Sequence, residues 1–351
     1  MTRLLRQSLV AYGQPLCETI VDCPVPRGSE VLLRVERCGV CHSDLHMQDG
    51  YFALGGDKRM DVTQDRALPF TLGHEIAGVI EALGPDAEGV ATGRRVVVYP
   101  WIGCGTCGAC RGGEENLCSN NRHLGVRVDG GFASHVIVPH PRYLIDYSPL
   151  SPSFAGPLMC SGLTAYAALK HLGTLAHRGP VLLVGCGGVG MMGLAFARAM
   201  FREPPIVADT DRGKRDAAIA AGAAAAYDPS DPQARRTISK ATGGLFAVCD
   251  FVGSDRSLQF STAVLARGGK VVVTGLLGGS FSIAAVMFAI KAISIEGSLT
   301  GTLAEAREVI DLARSGAIAP IPTHERPLGE AQSALEELRA GRVVGRTVLT
   351  N

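Results

Sequence analysis

The sequence predicts an α/β chain in which a β-rich, barrel-like region is followed by a doubly wound parallel sheet of Rossmann type. Three observations carry that expectation. At 351 residues the chain is too long for one ordinary hydrophobic core, so two domains are expected. Its first 150 residues are rich in short β-branched runs closed by Gly or Pro. From about Ser161 onward, strand and helix patterns alternate, and such alternation builds a parallel sheet covered on both faces.

In chain order, residues 8–12 are expected to open the first strand. Residues 31–35 alternate weakly, while 75–83 and 94–99 are β-branched strand segments. After the change of texture, 181–184 is a continuous apolar strand and 189–200 a helix rich in Ala, Met and Gly. Residues 206–208 form the next strand, followed by a helix over 214–221 closed by Gly222. Segments 247–252, 270–275 and 292–296 supply later strands. Residues 303–315 and 328–340 have helical spacing, and 343–349 ends the chain as a strand.

Hydrophobic residues at 46% and charged residues at 19% describe a globular chain, not a disordered one. A formal charge of +1 without a basic block argues against nucleic acid or an anionic membrane as partner. The best apolar run, 283–290, stops at Lys291, short of a membrane span. The basic N-terminus has no cleavable apolar core, so it reads as the approach to a strand rather than a targeting peptide, and a cytoplasmic location is expected. Eleven cysteines, an odd count in a long chain without a signal, argue against a disulfide framework. Cys17, Cys23, Cys38, Cys186 and Cys249 are expected to be small buried hydrophobes.

The remaining six cysteines carry metal-site signals. Cys104, Cys107, Cys110 and Cys118 follow the spacing Cys-x2-Cys-x2-Cys-x7-Cys, close enough to wrap one tetrahedral zinc with no open position. Backbone N–H groups and Arg111 are expected to offset the thiolate charge. A nucleic-acid-binding zinc ribbon is disfavoured because no basic or aromatic patch surrounds the knuckle. A second set, Cys41, His74 and Cys160, is dispersed. Two thiolates and an imidazole would neutralise Zn²⁺ and leave a fourth position for water or substrate, although spacing alone leaves a structural reading of His74 open.

Between these signals and the later strands lies Gly185-Cys186-Gly187-Gly188-Val189-Gly190, set between an apolar strand and a helix. Gly185 permits the tight turn, Gly187 lets the backbone approach a pyrophosphate, and Gly190 lets the helix pack closely. The helix N-terminus offers free N–H groups to phosphate. Asp209, near the expected twenty-residue offset, would accept the ribose hydroxyls of NAD and repel the extra phosphate of NADP. Lys214 and Arg212, just downstream, would soften that preference.

Taken together, Gly39-Val-Cys41-His-Ser43-Asp44, Gly73-His74-Glu75, the four-cysteine lobe, Cys160, the Gly185 loop and Gly345-Arg346-Thr347 resemble the zinc-containing medium-chain alcohol dehydrogenase family, from about Ser8 to Leu349. The resemblance implies a GroES-like catalytic domain over 1–160 and 297–351 and a Rossmann NAD-binding domain over 161–296. It implies that Cys41, His74 and Cys160 ligate a catalytic zinc with Glu75 beside it, and that Ser43 and His46 relay the proton. It places His42 and Arg346 at phosphate-facing positions and Trp101 in the pocket wall, with Tyr51 and Phe52 as weaker candidates. Asp44 is expected to accept the N–H of His74 and fix its tautomer. A cysteine at position 160 favours the alcohol branch of the family over the polyol branch.

The cofactors implied are two Zn²⁺ per chain and NAD. The reaction is hydride transfer between a primary or secondary alcohol and NAD, giving an aldehyde or ketone. A polyol or diol dehydrogenase on the same scaffold is the first alternative. A catalytically silent nucleotide binder is a second, opposed by the intact Cys41, Ser43, His46, His74 and Cys160. A homodimer or homotetramer is expected, with the strand near 293–296 extending a sheet between subunits. The segment between His46 and His74 is longer than usual in the family, and Asp57, Lys58, Arg59, Asp61, Asp65 and Arg66 give it balanced charge. It reads either as a rim of the active-site mouth or as a solvated loop.

Overall fold

The computed structural model describes residues 3–64 and 66–351, so Asp65 lies outside the described residues. The chain forms two compact units. The first gathers the chain up to Tyr51 with Asp61–Leu163 and Gly301–Asn351. The second comprises Phe52–Met60 and Thr164–Thr300.

In the first unit, strand Val31–Gly39 is the hub. It pairs antiparallel with Glu75–Leu83, His135–Val138 and Arg346–Thr350, and Arg95–Val98 and Leu144–Asp146 extend the sheet beyond Glu75–Leu83. Thr323–Pro327 adds a parallel edge on Arg346–Thr350. Val31, Leu33, Val35, Ile76, Ile80 and Val97 are buried between these strands, which fits the β-branched runs in the sequence. A smaller sheet orders Cys17–Asp22, Arg3–Leu9 and Phe70–Thr71. The opening strand is therefore Arg3–Leu9, not 8–12. Ser8 already pairs with Cys17, and the chain turns back at Gly13, whose φ of 72° suits glycine.

Two local features were not legible beforehand. Helix His42–Asp49 follows Cys41 directly. Its N-terminus is closed by the Asp44 carboxylate accepting the Cys41 N–H at 2.9 Å, and its C-terminus by Gly50 at φ 82°. Further along, Leu158–Gly162 is a π-helical turn between helices Pro152–Pro157 and Leu163–His171, and it carries Cys160.

The second unit holds six parallel strands. Leu182–Val184 is central, with Ile206–Ala208 and Ala225–Tyr227 on one side and Leu245–Asp250, Leu265–Val273 and Ser294–Gly297 on the other. Numbered along the chain this is the order 3-2-1-4-5-6 of the Rossmann fold. Leu182, Val184, Ile206, Ile238, Val248 and Val271 form its core.

The charged segment after His46 contains a two-stranded hairpin, Tyr51–Gly55 with Lys58–Asp61, whose second strand is exposed. Within the second unit its backbone lies close to residues 278–280. A Cβ on Gly278 would stand 2.4 Å from the Ala53 carbonyl oxygen, and one on Gly55 would stand 2.6 Å from the Ser280 nitrogen. Cys38, Cys186 and Cys249 are buried as expected, but Cys17 is exposed and Cys23 half-buried, because the strand and turn that carry them have an open face.

Helix Gly188–Met200 leaves the sheet through a turn with no room for a side chain. A Cβ on Gly190 would come within 1.8 Å of the Gly185 carbonyl oxygen. Gly190→Ala should destabilise the second unit by about 1–3 kcal/mol. A thermal melt reads this as a lower midpoint, and an unchanged midpoint would mean the helix can slide to make room.

Candidate functional site

Within the first unit the dispersed ligand set comes together. Cys41 lies two residues beyond the hub strand and caps helix His42–Asp49. His74 follows Gly73, whose φ of 91° turns the chain into strand Glu75–Leu83, and Cys160 projects from the π-helical turn. The two sulfurs are 3.9 Å apart, and one ligand atom from each of Cys41, His74, Glu75 and Cys160 lies within 4.8 Å of every other. All four side chains are buried.

The donor chemistry fits zinc. Tetrahedral Zn–S bonds of about 2.3 Å give an S···S edge of about 3.8 Å, close to the spacing observed. His74 is fully buried, yet neither ring nitrogen has a hydrogen-bond partner within normal reach. Buried polar atoms are rarely left so. The nearest group is Asp44, with Oδ1 3.5 Å from His74 Nδ1. That carboxylate is itself fixed by the N–H groups of Cys41 at 2.9 Å and Gly73 at 3.1 Å. The hydrogen bond from Cys160, helped by His74, holds the Cys41 thiol well below its usual range, while the same contact and burial push Cys160 up. A bound cation would favour the deprotonated form of both thiols.

Beneath the ligands, Glu75 is paired with Arg346, and both are buried. Burial raises the Glu75 carboxyl, opposed by the guanidinium. Gly39 faces Glu75 across the sheet, and a Cβ there would stand 1.9 Å from Glu75 Oε2. Arg346, expected to face a cofactor phosphate, lies on this carboxylate through Nη2. The pairing was not legible because the two residues lie 271 positions apart.

The other expected residues fall as follows. Ser43 Oγ is 3.8 Å from Cys41 Sγ. His42 is exposed and His46 half-buried, both on helix His42–Asp49, where positions 42, 43 and 46 share a side. Trp101 is buried. Its ring centroid lies 5.3 Å from that of His74, and its indole N–H donates to the Met159 carbonyl at 3.0 Å.

The four-cysteine lobe closes on itself. Sulfur separations are 3.5 Å for Cys107–Cys110, 3.7 Å for Cys107–Cys118 and 3.9 Å for Cys104–Cys110. These are tetrahedral edges and far exceed a disulfide bond of about 2.05 Å. The N–H of Cys104 reaches Cys118 Sγ and that of Cys110 reaches Cys107 Sγ. The Thr106 hydroxyl and neighbouring N–H groups lower the Cys104 thiol to about 6. Arg111 braces the loop through the Thr106 carbonyl rather than through a sulfur.

In the second unit, Gly185 has φ 91°, Gly187 caps helix Gly188–Met200, and a side chain at Gly187 would meet open space. Gly188 and Val189 open the helix with their N–H groups free of helical partners. Asp209 follows strand Ile206–Ala208. It accepts the Cys186 N–H at 2.7 Å and the Asp211 N–H at 2.8 Å, so it also holds the glycine loop. Lys214 lies in the first turn of helix Arg212–Ala220.

Known proteins agree with this architecture. Residues 27–148 match the alcohol dehydrogenase GroES-like domain family, and residues 188–315 match the zinc-binding dehydrogenase family. An NAD-dependent alcohol dehydrogenase of Sulfurisphaera tokodaii is 38% identical over 97% of this chain and 98% of its own. A D-arabinose 1-dehydrogenase (NADP(+)) of Saccharolobus solfataricus is 33% identical over 97% and 96%. The crystal structure of an alcohol dehydrogenase from Aeropyrum pernix superposes with a TM-score of 0.89 at 31% identity, covering 99% of this chain and all of that one. With its zinc-type donor sets and its Rossmann strand order in place, this chain belongs to the zinc-containing medium-chain alcohol dehydrogenase family.

Proposed function

We propose that this protein oxidises a primary or secondary alcohol to the aldehyde or ketone with NAD, and runs the reverse reduction, using zinc held by Cys41, His74 and Cys160. The observation that carries the reading is the buried, unbonded His74 imidazole beside two sulfurs 3.9 Å apart. A second zinc belongs in the lobe of Cys104, Cys107, Cys110 and Cys118, where four thiols leave no place for substrate.

When bound, zinc supplies a Lewis acid for the substrate oxygen and NAD supplies the hydride acceptor. The chain does the rest. Cys41 and Cys160 would provide negative charge in a buried volume, and Asp44, beside Nδ1 of His74, would hold the ring so that its other nitrogen could serve as a ligand. Ser43 takes the hydroxyl proton of the alcohol, and His46, one helical turn on, passes it outward. Glu75 is kept neutralised by Arg346 beneath the ligands, available as an additional oxygen donor. Gly185, Gly187, Gly188, Val189 and Gly190 form the pyrophosphate cradle, with His42 and Lys214 as further cations or donors for the cofactor. Asp209 accepts the adenosine ribose hydroxyls. On this reading the first unit is catalytic, the second binds NAD, and Trp101 contributes to the substrate pocket.

The partner is a small alcohol or carbonyl compound. A sugar or polyol substrate is the competing reading, favoured by the D-arabinose relative. No helix among the described residues is long and apolar enough to cross a membrane. A cytoplasmic homodimer or homotetramer without nucleic-acid partners is the arrangement we propose.

Elemental analysis should return two zinc atoms per chain, and Cys41→Ser should lose one of them. The same variant should lower NAD-linked alcohol oxidation by at least about a hundredfold; full activity with a single zinc would refute the reading. A panel of alcohols, polyols and aldoses assayed by initial rates separates the two substrate classes.

His46→Gln should reduce turnover about ten- to a hundredfold near neutral pH while zinc content stays at two. Unchanged turnover would remove His46 from the relay.

Asp209→Ala should shift the NAD-to-NADP ratio of kcat/KM toward NADP by about tenfold or more, because a charge-assisted hydrogen bond and a repulsion are both lost. A wild-type preference for NADP would overturn the assignment.

A further inference from the structure

We propose that Trp101 is a positioning residue that clamps two ligands of the open zinc site, His74 through its ring and Cys160 through the Met159 carbonyl. The inference rests on the reading of Cys41, His74 and Cys160 as a zinc site.

Met159 directly precedes Cys160 inside the π-helical turn Leu158–Gly162. The hydrogen-bond pattern of such a turn differs from that of the flanking helices, so an outside donor on its main chain sets the direction in which the next side chain leaves. The indole N–H is that donor, at 3.0 Å. The same indole also meets the His74 ring in a tilted arrangement, at 5.3 Å between centroids and 54° between planes. Asp44 approaches His74 Nδ1 at 3.5 Å, so carboxylate and indole confine the imidazole from two directions.

Trp101 is itself held. His123 stands edge-on to it at 5.3 Å and 88°. His123 is buried, and burial lowers its pKa to about 4, so an uncharged ring supports the indole at neutral pH. The main chain around Trp101 is tied by Leu124 N–H to the Pro100 carbonyl at 3.1 Å and by Arg122 N–H to the Ile102 carbonyl at 2.8 Å. Gly103 N–H donates to Glu115 at 3.1 Å, and the Tyr143 hydroxyl donates to the same oxygen at 2.7 Å. Cys104, the first thiol of the closed lobe, lies three residues beyond Trp101. The lobe thereby anchors the clamp. Plain core packing would account for the burial of the ring, but not for an N–H aimed at the carbonyl next to a ligand.

The test follows zinc release from the purified protein to 4-(2-pyridylazo)resorcinol in wild type, Trp101→Phe and Trp101→Leu. A Cys160→Ala control identifies the phase that belongs to the open site. Trp101→Phe keeps a ring on His74 and removes the donor; it should release that zinc about tenfold faster, in line with the usual effect of groups that support metal ligands. Trp101→Leu should be faster again, and the four-thiol phase should not change in either variant. Co²⁺ exchanged into the open site should show shifted absorption bands in Trp101→Phe. Because Trp101 is the only tryptophan, the same Co²⁺ should quench wild-type indole emission as it loads. The clamp is refuted if both variants release the open-site zinc at the wild-type rate with unshifted Co²⁺ bands, or if both phases accelerate together. A wild-type protein with one zinc would remove the premise; two zincs with unmoved variants would remove the clamp alone.

Discussion

Charge balance in a buried volume is the constraint on which the site depends. Cys41, Cys160, Glu75 and Arg346 are buried together. With both thiols ionised, two thiolates and a carboxylate set against one guanidinium leave an excess of two negative charges, and burying such an excess costs several kcal/mol per ion. A divalent cation cancels it. Asp44 is also buried, and its oxygens are met by the N–H groups of Cys41 and Gly73. The arrangement is therefore built to be completed by a cation.

The β-sheet makes this possible. Gly39 and Glu75 are opposed in register on neighbouring strands, and Arg346 begins the strand on the other side of the hub. Three strands thus bring a carboxylate, a guanidinium and the ends that carry Cys41 and His74 into one place. The glycine at 39 leaves the space that the Glu75 carboxylate occupies. Rigid strands suit this task, since ligand atoms must stay within a few tenths of an ångström of a metal-binding geometry.

What could be read from the sequence was what is local. The four-cysteine lobe and the glycine loop each span under twenty residues, so spacing carries most of their geometry. The parallel sheet was also legible, because buried parallel strands are apolar runs. The dispersed ligands needed a family resemblance, since nothing in the spacing of 41, 74 and 160 implies contact. Helix His42–Asp49 escaped notice because its residues are largely polar and its cap is a cysteine, outside the usual capping residues. The hairpin after Tyr51 escaped because its strand Lys58–Asp61 is charged and exposed, and the residues close to it, Gly278 and Ser280, are more than two hundred positions away. Arg346 was legible as a motif but not as a partner of Glu75, for the same reason of distance along the chain.

The two thiol clusters differ in a way that separates their roles. The lobe is only partly covered, and its thiols are satisfied by each other and by main-chain N–H groups. Water at its margin tolerates the charge of four thiolates, and nothing in the lobe is left over for a ligand. The second cluster is buried, and the ring nitrogens of its histidine have no hydrogen-bond partner within normal reach. Low polarity strengthens whatever electrostatic pull a cation exerts on an oxygen ligand there, and the mixed sulfur and nitrogen donors leave that cation with charge to spare compared with four thiolates. Exposure and donor type together support the division we propose, with one site holding a loop in place and the other polarising a substrate.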